Sequence, residues 1–337
     1  MKVQSSTGTR KVRQWPAAAT HGDLAFGHEV ISAARDSGLE TVPAVLSLPD
    51  SNETVLRIGT RLFDAQDWLP GQPPPRAETF WPEANDRIDL PAALPVPLFA
   101  QVIAAIAIVH GSTTTLAAQP GVPAAPIAAL PDIVRQAQAR QLASLRARAP
   151  REPAIQRWLA TGERLLAAAE PVIVDATATG ALPVAAVHLD LWPSHVLRSE
   201  DSITGLLGWE RAVAGSPLLD LSQAIVRLRG WSEEAVEAAI GAYSERVALP
   251  PAERRVLPAI AALDAVATTG QLLVQAYPAG VAERPPSLLR AAIDMMLRSL
   301  TELEHGLTIA AAKRPRRAPF RHGRQRQPAK GAPRRGR

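Results

Sequence analysis

Cysteine is absent from all 337 residues of the sequence. Disulfide bridges, thiolate nucleophiles and cysteine-ligated zinc sites are therefore excluded. Aromatic residues are scarce, at 4% of the chain, and Ala, Leu and Val carry most of the 47% hydrophobic content. Together with 31 prolines, this composition is typical of a helix-rich globular protein whose loops are stiffened by proline.

The sequence also lacks an apolar run long enough to cross a bilayer. The longest run, residues 98–109, is interrupted by Gln101 and fits a buried helix. The amino terminus, MKVQSSTGTRKVRQ, has no apolar core of the length that a signal peptide requires. We therefore expect a cytoplasmic protein without a membrane segment.

Excess positive charge is confined to the carboxyl terminus. Residues 313–337 contain 11 Lys and Arg and no Asp or Glu, whereas the 26 basic residues before them are outnumbered by 32 acidic residues. The formal net charge of +5 thus describes the tail rather than the folded part. We expect residues 311–337 to be disordered. Residues 313–337 could bind nucleic acid or another acidic surface, or be a solvated extension without a specific partner.

The pattern of apolar residues predicts an α+β fold. A helix is expected at 21–37, a strand pair at 41–48 and 54–60, and further strand character up to Trp68. Repeated prolines make 70–97 a connector. Helices follow at 98–110, 132–148, 153–169 and from 217 onwards. We divide the chain into an amino-terminal lobe (1–71), a helical carboxy-terminal lobe (72–310) and the tail (311–337).

Strand-like sequence interrupts the helical part once, at 184–209. Residues 184–187 form a short apolar strand, HLDLWPS (188–194) a loop, and HVLR (195–198) and ITGLLGW (203–209) two strands joined by a turn at 199–202. Polar and ionisable residues therefore lie on a loop that is held by a hairpin. Such an arrangement is suited to catalysis.

The segments VHLDLWPSHVL and ITGLLGWERAVAGSPLLDLS resemble the signature of the aminoglycoside phosphotransferase and choline kinase family. That signature has a His-x-Asp loop, an Asn five residues after the Asp, a hairpin ending in Ile-Asp-Trp/Phe-Glu, and a later Asp-Leu-Ala. RKVRQWP (10–16), GLETVPAVL (38–46), DWLPG (67–71) and AIVHG (107–111) are similar to further landmarks. The resemblance covers about residues 9–310. It implies a protein-kinase-like fold with a reduced β-rich amino-terminal lobe and a larger helical lobe.

The resemblance implies ATP- and Mg²⁺-dependent phosphorylation of a hydroxyl group on a small molecule. Asp190 corresponds to the base that accepts the hydroxyl proton, and His188 to the histidine that holds the loop in shape by hydrogen bonding. Arg13 matches the basic residue that pairs with the phosphates. Trp68 falls where an adenine ring would stack, and a core tryptophan at the junction between the lobes is the alternative.

Three departures from the family pattern weaken this prediction. His195 stands at the Asn position, and Gly208 replaces the metal-binding Asp, although magnesium prefers hard oxygen ligands. Only 12 residues precede Arg13, and the sequence contains no glycine-rich phosphate loop. Glu210 is a candidate replacement ligand, because alternation along a strand would put it on the same face as Gly208. We expect impaired metal and nucleotide binding.

Other functions stay open on the sequence alone. A catalytically inactive pseudokinase could bind a small molecule or a partner protein in the same cleft. His188, Asp190 and His195 could instead form a new site for zinc or iron. Asp220 is expected to organise the loop and its own helix rather than to react.

Overall fold

The structure, a computed structural model, describes residues 1–5, 8–49, 51–73, 90–146, 152–180, 182–277, 285 and 287–312. The tail from residue 313 and residues 74–89 of the predicted connector lie outside this part. Its strands are β1 (Lys2–Ser5), β2 (Gly8–Gln14), β3 (Leu56–Ile58), β4 (Arg61–Asp67), β5 (Ala185–Val187), β6 (Val196–Ser199), β7 (Ser202–Leu206) and β8 (Val213–Gly215). Its α-helices are α1 (His21–Asp36), α2 (Val96–Ser112), α3 (Thr114–Ala117), α4 (Leu130–Arg146), α5 (Pro153–Ala178), α6 (Leu218–Leu228), α7 (Glu233–Ser244), α8 (Pro251–Ala276) and α9 (Ser287–Ala312).

A small lobe is built on a four-stranded antiparallel sheet with the strand order β1-β2-β4-β3. Along β4, Leu62, Asp64 and Gln66 are buried, whereas the residues between them are more exposed. This alternation puts one face of the sheet towards the interior of the protein. We call it the inner face.

The predicted strand pair of 41–48 with 54–60 is wrong. β3 pairs instead with the start of β4, and 41–48 contributes a single bridge, between Val45 and Gln66. Two backbone hydrogen bonds attach this segment to β4. The N–H of Leu46 donates to the carbonyl of Ala65, and the N–H of Asp67 donates to the carbonyl of Ala44, each at 2.9 Å.

Helix α1 confirms the helix predicted at 21–37. The side chain of Thr20 caps it by accepting a hydrogen bond from the N–H of Asp23 at 3.1 Å. The helix packs directly against the backbone of the turn at 209–211, because Gly27 has no side chain. A Cβ atom at Gly27 would lie 2.7 Å from the Cα of Glu210. Only glycine permits this approach.

The larger lobe is helical, with α8 at its centre in contact with α4, α5, α6 and α9. Helix α8 is also the one described helix that is long and apolar enough to span a membrane, and 78% of its apolar window is buried inside the protein. A central core helix accounts for this apolar composition. Helix α5 runs beyond the predicted end at residue 169, through Pro171, and buries Ile173 and Ala176.

Four short strands lie between the helices and form two ladders. β5 pairs with β8, and β6 pairs with β7 in the predicted hairpin. The loop that carries the candidate catalytic residues joins β5 to β6. Both of its ends are therefore fixed by strand pairing.

Trp158 on α5 contacts α8, and its substitution tests the packing of the helical lobe. Its side chain is fully buried, and its indole N–H donates to the carbonyl of Val266 at 2.9 Å. We predict that Trp158→Ala lowers the free energy of unfolding by about 3–5 kcal/mol. Val174→Ala on the exposed side of α5 should change it by less than about 0.5 kcal/mol. Urea denaturation measures both, and equal effects would contradict the assigned packing.

Candidate active site

The loop after β5 has an unfavourable backbone conformation at Leu189. Its φ angle of 59° lies in the left-handed region, which costs a residue with a Cβ atom about 1–2 kcal/mol. Asp220, in the first turn of α6, stabilises this conformation. Its carboxylate accepts the N–H of His188 at 2.7 Å and the N–H of Leu189 at 2.9 Å. The predicted organising role of Asp220 is confirmed.

Asp220 is fully buried and has a third partner, Nε2 of His110 on α2, at 3.1 Å. Burial alone raises the pKa of Asp220, but hydrogen bonds from His110 and His188 and the charge of His110 outweigh it, so that the pKa is lowered. Nδ1 of His110 bonds in turn to the hydroxyl of Tyr243 on α7, at 3.0 Å. Three helices thus position the loop through one carboxylate.

His188 is fully buried and uses both ring nitrogens. Nε2 donates to the carbonyl of Leu207 at 2.7 Å, and Nδ1 accepts the N–H of Asp190 at 3.1 Å. These partners assign the neutral Nε2–H tautomer. Burial, followed by the charge of His195, lowers the pKa of His188, which favours the same neutral form. His188 thus connects the backbone of Asp190 to that of Leu207, and the positioning role implied by the resemblance stays a prediction.

Asp190 is half-buried and keeps one carboxylate oxygen available. Oδ1 accepts the indole N–H of Trp192 at 2.9 Å, and the main-chain carbonyl accepts Nδ1–H of His195 at 2.6 Å. Within the described residues, Oδ2 has no hydrogen-bond partner. A carboxylate oriented through one oxygen and open at the other can accept a proton from a bound hydroxyl group.

Gly208 lies beside two imidazole rings that leave no room for a side chain. A Cβ atom there would be 2.9 Å from Cε1 of His188 and 3.2 Å from Nδ1 of His195. The φ angle of Gly208, +98°, is also one that residues with side chains rarely adopt. A side chain at this position would therefore have to displace one of the two rings.

The predicted strand at 203–209 ends early, at Leu206. The left-handed conformation of Gly208 stops the regular alternation, and Trp209–Arg211 form a 3-10 turn. The prediction that Glu210 shares a strand face with Gly208 is therefore wrong. Glu210 turns to the sheet lobe and binds Nη1 of Arg13.

Arg13 is held by two carboxylates on the inner face of the sheet. Besides Glu210, it binds both carboxylate oxygens of Asp64, at 3.1 and 2.6 Å. Nε2 of His28 on α1 lies 3.1 Å from the same carboxylate, whose side chain is fully buried. Burial alone raises the pKa of Asp64, but hydrogen bonds from His28 and Arg13 lower it below its usual value. The guanidinium predicted to contact phosphates is thus engaged in a buried ion-pair cluster.

Sequence reasoning missed Asp64 and His28 in this cluster. The available signal was the strand LFDAQD (62–67), where alternation puts Asp64 on the same face as the buried Leu62. A carboxylate on a buried face requires a partner. The identity of the partner comes only from the fold.

Trp68 is not a core residue, because 46% of its surface is exposed. Its backbone N–H donates to the carbonyl of Thr9 at 3.2 Å, and the ammonium of Lys2 lies 4.6 Å from the centre of its ring. An exposed ring at this place is available for stacking. Its assignment to adenine stays a prediction.

Few donor groups near the loop are open to a cation. Across the described ranges, no three His, Asp or Glu side chains come together in a group that could hold a metal ion. Nδ1 of His195 is bonded to the main-chain carbonyl of Asp190, and the carboxylate of Glu210 is bonded to Arg13. Both ring nitrogens of His188 are bonded to backbone groups. In phosphotransferase sites magnesium is usually bound by one or two carboxylates together with substrate phosphates and water, and near this loop the carboxylate of Asp190 keeps one open oxygen while that of Glu210 is paired with Arg13.

Substitution of Gly208 tests the closed packing at this position. We predict that Gly208→Ala lowers the free energy of unfolding by about 1–3 kcal/mol more than Gly121→Ala, because only Gly208 faces imidazole rings. Gly121 is a matched control, with a φ angle of +83° and no atom within 4 Å of an added Cβ. Both variants carry the same backbone cost. Equal losses in urea denaturation would mean that the rings do not block the position.

Solved structures with this fold share most of the chain. An aminoglycoside phosphotransferase from Alicyclobacillus acidocaldarius is 14% identical, with 92% of this chain and 90% of that chain covered and a TM-score of 0.63. A spectinomycin phosphotransferase in complex with ADP and spectinomycin is 13% identical, with 91% and 88% covered and a TM-score of 0.55. An amicoumacin kinase in complex with AMP-PNP and Ca²⁺ is 13% identical, with 90% and 84% covered and a TM-score of 0.53. At sequence identities of 13–14%, the structural similarity to these proteins establishes the fold alone.

No curated protein matches the sequence. The model of the phosphotransferase enzyme family matches residues 2–260, which is more than half of the chain and includes both the sheet lobe and the loop with Asp190. With the kinase-like fold and this match together, the chain belongs to the phosphotransferase enzyme family.

Proposed function

We propose that this family member binds a small molecule in the cleft between its lobes without magnesium-dependent phosphoryl transfer. The observation that carries the proposal is the packing at Gly208. Two imidazole rings fill the space where a carboxylate side chain would begin. Phosphoryl transfer depends largely on electrostatic stabilisation of the phosphate charge, so the loss of an anionic metal ligand removes a principal part of the chemistry.

The ion pairs of Arg13 support the same proposal. A guanidinium that binds Asp64 through two hydrogen bonds and also binds Glu210 has little capacity left for a phosphate group. Breaking such a buried pair typically costs about 3–5 kcal/mol. Recruitment of Arg13 to a nucleotide would therefore weaken nucleotide binding by this cost.

ATP-dependent phosphorylation of a small-molecule hydroxyl is the second candidate, and the geometry of Asp190 favours it. Oδ2 of Asp190 is positioned by the bond of Trp192 to Oδ1 and could accept the hydroxyl proton while the γ-phosphoryl group moves to the hydroxyl oxygen. In this proposal Trp68 stacks on adenine. ATP would bring the magnesium ion, and His195 would be its weak protein ligand.

Titration with ATP separates the two candidates. We expect the dissociation constant of ATP to be the same in Mg²⁺ and in EDTA, because the site lacks the carboxylate pair that would hold the cation. Calorimetry and the shift in melting temperature measure this binding. We also expect no transfer of labelled γ-phosphate to a panel of aminoglycosides, aminoalcohols and other small alcohols.

Asp190→Asn is the control for this experiment, because it keeps the hydrogen bond from Trp192 while removing the base. Magnesium-dependent ATP binding together with γ-phosphate transfer that Asp190→Asn abolishes would overturn the proposal and establish the kinase. Transfer that survives in Asp190→Asn would indicate a contaminating activity.

A further inference from the structure

The inner face of the sheet carries two lysines directly opposite each other. Lys2 on β1 and Lys11 on β2 are paired residues, and Lys11 is also paired with Gln66 on β4. Paired residues on antiparallel strands have side chains on the same face. Lys11 and Arg13 share this face as well, since they are two residues apart on one strand.

Neither lysine forms a direct ion pair with an acidic side chain of the described residues. In the part of the chain that the structure describes, no carboxylate lies within 4 Å of the ammonium of Lys2 or of Lys11. Like charges directly opposite each other destabilise a sheet. Burial, and then the charge of Arg13, lowers the pKa of Lys11, which is half-buried. Two lysine side chains thus share one face of the sheet at directly paired positions.

The nearest carboxylates are already used. Asp64 and Glu210 contribute negative charge at Lys11, but both bind the guanidinium of Arg13. Three cationic side chains, Lys2, Lys11 and Arg13, thus face two carboxylates. An anion bound at the lysines would offset the uncompensated charge.

Trp68 supplies an apolar wall beside this pair. The ammonium of Lys2 lies 4.6 Å from the centre of the exposed indole ring, and the bond from the backbone of Trp68 to Thr9 keeps that ring next to β2. A ligand with an anionic group and a flat apolar part would contact both features.

We infer that Lys2 and Lys11 form a binding site for the phosphate group of a small molecule, which they hold beside Trp68 without a metal ion. This inference rests on the proposed function and names the class of ligand for it. Two ammonium groups supply the positive charge that a divalent cation would otherwise provide.

The test is a titration of the full chain with inorganic pyrophosphate in EDTA. Fluorescence of Trp68, taken as the difference between the protein and its Trp68→Phe variant, and calorimetry report binding. We expect Lys11→Gln and Lys2→Gln each to weaken pyrophosphate binding by about tenfold or more, the loss expected for a charge-assisted hydrogen bond. Raising the salt concentration should weaken binding in the unchanged protein.

Arg61→Gln is the matched control, because it removes one positive charge from the opposite face of the same sheet. Arg61 is exposed and paired with Ile58 rather than with a residue of the inner face. Its variant should bind pyrophosphate like the unchanged protein. Melting temperatures identify any lysine variant that fails to fold, and the exposed Lys2 gives a second variant if Lys11→Gln is unstable.

Two results would overturn the inference while leaving the proposed function intact. One is the absence of pyrophosphate binding in EDTA, and the other is equal binding by the unchanged protein, Lys11→Gln and Lys2→Gln. Failure of the proposed function has a separate signature, which is magnesium-dependent transfer of the γ-phosphate of ATP.

Discussion

The buried carboxylate of Asp220 is the interaction on which the candidate active site depends. It binds two successive backbone amides, of His188 and Leu189, and thereby stabilises a left-handed leucine that the chain would otherwise avoid. That conformation of Leu189 sets the direction in which the side chain of the next residue, Asp190, projects from the loop. Because His110 binds the same carboxylate, the loop, α2 and α6 share one polar centre, and displacement of any of them would leave a buried charge without its partners.

Next to this fixed loop, two imidazole rings rather than carboxylates surround the position of Gly208. The ring centres of His188 and His195 lie 5.8 Å apart, both rings lie close to Gly208, and the ring of His188 packs edge-on against Trp209. A side chain at position 208 would have to displace one of these rings, so the glycine and the two imidazoles pack as one unit.

The sequence predicted the features that depend on neighbouring residues. The hairpin of β6 and β7, the loop with Asp190 and the helix at 21–37 are encoded by short-range turn and capping signals. The pairing of 41–48 was predicted wrongly, since strand partners are chosen by the whole sheet. The partners of Arg13 could not be predicted either, because Asp64 is 51 residues and Glu210 is 197 residues away along the chain. The chain turns at Gly208 instead of continuing as a strand, because Gly208 adopts a left-handed φ angle. The sequence pattern did not predict that angle, which places Gly208 beside the rings of His188 and His195.

The close approach of α1 to the turn at 209–211 has a consequence for motion. A helix whose backbone meets another backbone through Gly27 has little room to tilt or slide against that turn. On its other side, α1 packs Leu24 against Val55 and Leu62 of the sheet lobe, and His28 binds Asp64. Together with the ion pair between Arg13 and Glu210, these contacts join the sheet to the helical lobe, so that a movement of one lobe relative to the other would have to break them.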